Sequence, residues 1–192
     1  MKAAKQVRNW LLGLAACALC GAPAIAQQSN PASTGYNSKA ASLTTSDRQF
    51  VKAAAEGGMA EVELGKLAEE NGGTSEVKDF GKRMVTDHTK INDQLKELAG
   101  KEDVTLPQQL NAKDKMTKES LSKLSGTAFD KAYMKDMVKD HTADVSEFRK
   151  ESTAAHSAAV KDFASDALPT LESHLKEAKS IAPKATTAMN MK

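Results

Sequence analysis

Four long stretches of this chain place apolar residues at alternating steps of three and four, and each stretch is bounded by glycine, serine or proline. That spacing is produced by helices that bury one face. From about Asp47 to Glu70 the inward series is Phe50, Ala54, Gly57, Glu61, Leu64 and Ala68. Up to about Ala99 it is Val77, Phe80, Met84, His88, Ile91, Leu95 and Leu98. From about Ala128 to Thr153 it is Phe129, Tyr133, Met137, His141, Val145 and Phe148. From near Ser157 to just before Pro183 it is Val160, Phe163 or Ala164, Ala167, Leu171, His174, Ala178 and Ile181. Four such helices can cover their stripes only against one another, which predicts an all-α antiparallel four-helix bundle. Aromatic residues make up only 4% of the chain, which argues against a sheet protein.

The punctuation sets the boundaries. Thr45 or Ser46 is the expected N-cap of the first helix, and Asn71-Gly72-Gly73 stops it. Thr74 or Ser75 caps the second, and Gly100 ends it. Val104 to Pro107 reads as a connection, and Ala112 to Leu124 as an extra short, weakly amphipathic helix before helix three. Ser125-Gly126-Thr127 separates it from the third long helix. Pro169 lies inside the fourth, where it removes a backbone hydrogen bond at a cost of roughly 3 kcal/mol. A kink or break is therefore expected at Leu168. Two segments echo one another: Met84-Val85-Thr86-Asp87-His88-Thr89 with Met137-Val138-Lys139-Asp140-His141-Thr142, and Val77-Lys78-Asp79-Phe80 with Val160-Lys161-Asp162-Phe163.

The N-terminus reads as an export signal. A short basic segment with Lys2, Lys5 and Arg8 precedes an apolar run from Trp10 to Leu19, and Ala22-Pro23-Ala24-Ile25-Ala26 supplies a small-x-small cleavage pattern. The expected organisation is a signal peptide at 1–26, a flexible linker at 27–45, a bundle domain at 46–182 and a disordered tail at 183–192. A second processing route stays open, since Leu14-Ala15-Ala16-Cys17 resembles a lipobox and would make Cys17 a lipid anchor. With the signal removed, the net charge falls from +2 to about −1, and no basic stripe remains to bind nucleic acid. After the signal, no window is long and apolar enough to span a membrane.

Each long helix carries one ionisable residue near the middle of its inward face: Glu61, His88, His141 and His174. Mid-helix positions share a level in an antiparallel bundle, so the four side chains are expected to converge. Buried separately, each would lack a partner. Clustered, they satisfy one another in one of two ways. They are a structural polar layer that fixes helix register, or a metal site for zinc, iron, copper or manganese. Asp87 and Asp140 point away from the seam and are expected to pair with neighbours or orient an imidazole. His156 falls in the turn between the last two long helices and reads as a solvated loop residue.

Several segments together resemble the bacterial domain-of-unknown-function family 4142, whose members are often labelled predicted outer-membrane proteins. They are Asp47-Arg48-Gln49-Phe50-Val51, Met59-Ala60-Glu61-Val62-Glu63-Leu64-Gly65, Asp87-His88, Phe129-Asp130-Lys131-Ala132-Tyr133, His141, and Leu168-Pro169 with His174. The resemblance spans about Ser46 to Ile181. It implies a ferritin-like bundle in the cell envelope and no particular reaction. A charged helical chain is not a transmembrane barrel, which leaves attachment through a lipid or an envelope protein partner. Ferritin-like di-iron centres use Glu-x-x-His on two helices. Here Val85, Val138 and Leu171 stand three residues before the histidines, so a di-iron centre is not expected.

Three functions fit these observations. The first is a non-enzymatic exported bundle that binds a partner or serves a structural, stress-related role. The second is a metal-binding protein using Glu61, His88, His141 and His174. The third is a hydrolase or oxidase with that metal open to solvent.

Overall fold

The computed structural model describes residues 43–187, so the expected signal, Cys17, most of the linker and residues 188–192 lie outside the described residues. Those described form five helices: α1 (Thr45–Asn71), α2 (Ser75–Lys101), α3 (Ala112–Ser122), α4 (Gly126–Ala154) and α5 (Ala158–Thr187). None is long and apolar enough to cross a membrane.

The helix starts are set by side chains that satisfy otherwise orphaned backbone donors. Thr44, one residue earlier than expected, caps α1 through a reciprocal capping box with Asp47. The chain just before it already belongs to the bundle, because Leu43 is buried in the core. Thr74 caps α2 and Asn111 caps α3, each accepting from the backbone three residues on. Asp47 also accepts from the backbone N–H of His156 in the α4–α5 turn, and His156 itself is exposed, as expected.

Short connections make α1–α2 and α4–α5 antiparallel hairpins. The segment from Glu102 to Ser125 must cross the length of the bundle, because Gly126 at the start of α4 forms a bridge to Gly72 at the end of α1. α3 lies on this crossover, packed on the outside of α1 and α4. In cross-section α1 neighbours α2 and α4, and α5 closes the square, so every adjacent pair is antiparallel. This is the all-α, ferritin-like arrangement with one long crossover.

Two departures from expectation have local causes. α5 runs unbroken through Pro169 and continues past Pro183 to Thr187, with Ala185 buried. Residues 183–187 are therefore helix and not tail. Pro169 is exposed and so is Ser165, whose carbonyl loses its partner, so the orphaned group faces water. On α1, Ala55 and Gly58 take the buried places expected for Ala54 and Gly57. Gly58 is needed there because a Cβ would sit 2.0 Å from Asn92 Oδ1 of α2.

The apolar core falls into two clusters. One holds Phe50, Ile91, Leu95, Val145, Phe148, Phe163 and Leu171, and the other Leu64, Phe80, Met84, Phe129, Tyr133, Met137 and Ile181. Along each helix the break between them is marked by one of the four ionisable residues, so a polar layer divides the core.

Candidate metal centre in the polar layer

All four predicted residues are buried: Glu61 and His88 are 3% exposed, and His141 and His174 0%. The structure brings the three histidines together. One ligand nitrogen from each lies within 4.8 Å of the other two, and the ring centroids are 5.3 to 5.6 Å apart. His88 Nε2 and His141 Nε2 are 3.5 Å apart. α2 and α4 are diagonal in the bundle, so these rings meet at its centre. His174, near the middle of its helix like the others, reaches the same cluster from α5.

The outward-facing nitrogens define the tautomers. His141 Nδ1 lies 3.1 Å from the carbonyl of Met137. A carbonyl only accepts, so Nδ1 carries the proton and Nε2 is a bare lone pair. His174 Nε2 donates to Asp87 Oδ2 at 2.8 Å, which leaves Nδ1 bare, buried and without a hydrogen-bond partner. Asp87 is fixed in turn by Arg83, whose Nε is 3.2 Å away and whose other nitrogens reach Ser173 and Glu177 of α5. Carboxylates and carbonyls that hold the far nitrogen of an imidazole are the usual outer support of a metal-ligating histidine.

Burial keeps the cluster neutral. His88 is pushed well below the ordinary histidine range by burial, then by the neighbouring imidazoles. His141 is lowered to about 4 by burial and by His174. His174 is also lowered by burial, although Asp87 works against that. For Asp87, burial raises the carboxyl, but the hydrogen bonds from His174 and Arg83 outweigh it and leave it below its usual value.

Glu61 is placed differently from the histidines. Its Oε1 is 3.7 Å from His141 Nδ1, beyond hydrogen-bonding distance, and Nδ1 turns to Met137 instead. The other oxygen, Oε2, is buried without a partner. Burial pushes this carboxyl well above the carboxylate range, and the charges of Asp144, Asp140, Asp136 and Asp114 push it the same way. The spacing of the seam predicts the three histidines together. The acidic surroundings of Glu61 were not foreseen, because they come from α3 and from the flank of α4.

The DUF4142 family model, described as a domain of unknown function, matches residues 32–181. The chain belongs to the DUF4142 family. No curated protein matches it. Among solved structures, this DUF4142 chain is similar to the crystal structure of a DUF305 fragment from Deinococcus radiodurans. The TM-score is 0.66 and the identity 12%, with 74% of this chain and 99% of that one covered. At that identity the likeness is one of fold alone.

Proposed function

We propose that this DUF4142 chain is an exported, non-enzymatic metal-binding protein that holds one divalent transition-metal ion on His88, His141 and His174. The observation that carries this reading is the convergence of His88, His141 and His174, each with a ligand nitrogen within 4.8 Å of the others, with His174 Nδ1 buried and unpartnered and the far nitrogens of His141 and His174 held by Met137 and Asp87. A purely structural layer would leave His174 Nδ1 unpartnered at a cost of roughly 1–3 kcal/mol, whereas a cation held between the three rings gives it a partner. The spacing also fits. Ligands about 2.0–2.1 Å from a tetrahedral metal lie roughly 3.4 Å from each other, close to the 3.5 Å between His88 Nε2 and His141 Nε2. Neutral imidazoles suit zinc, copper, cobalt and nickel. Export is supported by the ordered basic, apolar and small-residue segments of the N-terminus, and an exported chain of this kind would act in the periplasm or on the outer membrane.

Elemental analysis of the purified chain after incubation with zinc, copper or cobalt tests the reading. The expected result is one metal per chain, lost in the His88→Ala/His141→Ala double variant and kept in His156→Ala. Substoichiometric metal in the unaltered chain, or unchanged loading in the double variant, overturns it.

A further inference from the structure

A cavity of about 240 Å³ lies between α1, the start of α3 and α4, beside the polar layer. Five carboxyl side chains line it: Glu56 and Glu61 from α1, Asp114 from α3, and Asp140 and Asp144 from α4. Lys113 is the one cation among the lining residues. Its Nζ stands 3.9 Å from Asp140 and its side chain is 70% exposed, so it lies at the mouth. Glu61 is the innermost of the five, only 3% exposed. It combines an unpartnered Oε2 with an Oε1 that is 3.7 Å from the ring of His141. The acidic lining thus continues from the surface to the edge of the histidine cluster.

The opposite flank is closed by paired charges. There, between α2 and α5, the Arg83 guanidinium covers Asp87 and His174 and ties them to Ser173 and Glu177. A cation approaching from that side meets a guanidinium locked between two carboxyl groups, and one approaching between α1 and α4 meets five carboxyl groups with a single lysine at the mouth.

We propose that the acidic pocket is the entry vestibule of the three-histidine centre, drawing in a hydrated divalent cation and passing it inward beside Glu61. The inference rests on the metal-binding reading above. The pocket suits a cation that keeps its water shell. Among the described residues, its carboxylates do not form a group close enough to ligate one bare ion, and only the histidines do. Charged walls around a low-dielectric cleft raise cation on-rates by about 10–1,000-fold, and this gain is screened once the Debye length shrinks to about 10 Å at 0.1 M salt.

Stopped-flow loading of the metal-free full chain with Co²⁺ at pH 8, followed by its visible absorption at two ionic strengths, tests the vestibule. The Asp140→Asn/Asp144→Asn variant is expected to load roughly tenfold more slowly at low salt, with a flattened salt dependence and an unchanged final stoichiometry. Lys113→Glu, an exposed change at the mouth that does not threaten the fold, is expected to load faster than the unaltered chain. Asp162→Asn/Asp166→Asn, which removes two exposed charges from α5, should load at the normal rate. A Lys113→Glu rate at or below normal overturns the vestibule, as does normal loading of a folded Asp140→Asn/Asp144→Asn variant, while full stoichiometry leaves the histidine centre standing. If the unaltered chain takes up no cobalt, the metal-binding reading fails first and the vestibule with it.

Discussion

At His141, burial outweighs the carbonyl of Met137 and pulls the imidazole down to about 4, so its Nε2 lone pair is ready for a cation at neutral pH. His88 and His174 are lowered by the same cause. Glu61 is shifted the other way, toward its neutral acid form. These opposite shifts make proton release a report on the ligand set. A centre built from three imidazoles should release close to no protons on binding zinc at pH 7, whereas ligation by Glu61 would release about one. The geometry favours the former, and calorimetry in buffers of different ionisation enthalpy measures the count. Glu61→Gln should then leave equilibrium affinity within a few-fold of normal. A release of one proton that disappears in Glu61→Gln would make Glu61 the fourth ligand. Seam spacing was enough to find all four residues. It could not show that the echoed aspartates diverge: Asp87 holds His174, whereas Asp140 lines the acidic pocket. Identical hexapeptide positions face different neighbours once their helices occupy different corners of the square.

Between elements, α1 and α2 approach closely at a pair of glycines. A Cβ on Gly65 would come 2.7 Å from the carbonyl oxygen of Gly81, and one on Gly81 would come 2.6 Å from Ala68 Cβ. These glycines let the two backbones pack closely beside Met84, one turn from His88. Gly65→Ala forces the backbones apart and should cost about 1–3 kcal/mol in urea unfolding. It should also weaken metal retention by moving His88. Gly57→Ala is the matched control on the same helix. Nothing lies within 4 Å of its Cβ, so the variant should gain about 0.5–1 kcal/mol from helix propensity. Equal effects at the two sites would show that helix propensity, not helix contact, governs both. The sequence marks a helix end well where the cap is local, as at Thr74, and less well at α4, which opens at Gly126, two residues before the expected Ala128, with no side-chain cap from Ser125. It leaves kink and break open at Pro169, where no break occurs, because the consequence of a proline depends on which side of the helix the freed carbonyl faces. That is decided by the neighbouring helices.

For the whole molecule, the polar layer sets two opposing pH dependences on the metal-free fold. The buried histidines have folded-state values below 6.5, so the unfolded chain binds more protons than the folded one as pH falls from about 6.5 toward 4. Their stability contribution is present above that window and lost on acidification. The carboxyls around the vestibule behave inversely. Asp144 is raised from 3.8 to about 7 by burial, then by Asp140 and Glu147, and Glu61 and Asp136 are raised as well. For these groups the folded chain binds more protons, so stability is lost as pH climbs from about 4 through 7. The two windows overlap between about pH 4 and 6.5, where the opposing slopes offset, so the metal-free protein should hold its stability there and lose it as pH climbs from about 6.5 toward 8. Asp144→Asn should lift the alkaline side by on the order of 2 kcal/mol at pH 8 and change little at pH 4. His141→Gln should remove one histidine's share of the acid-side loss, so that stability near pH 4 gains relative to pH 7, and leave the alkaline side in place. A bound cation should raise stability most at the alkaline end. There it answers both the bare nitrogens and the crowded carboxylates, adding about 2.7 kcal/mol at a free concentration one hundred times Kd. Chemical denaturation from pH 4 to 8, with and without zinc, measures each arm. A metal-free profile that is flat across this range would remove the physical basis for treating the layer as a strained site that awaits a cation.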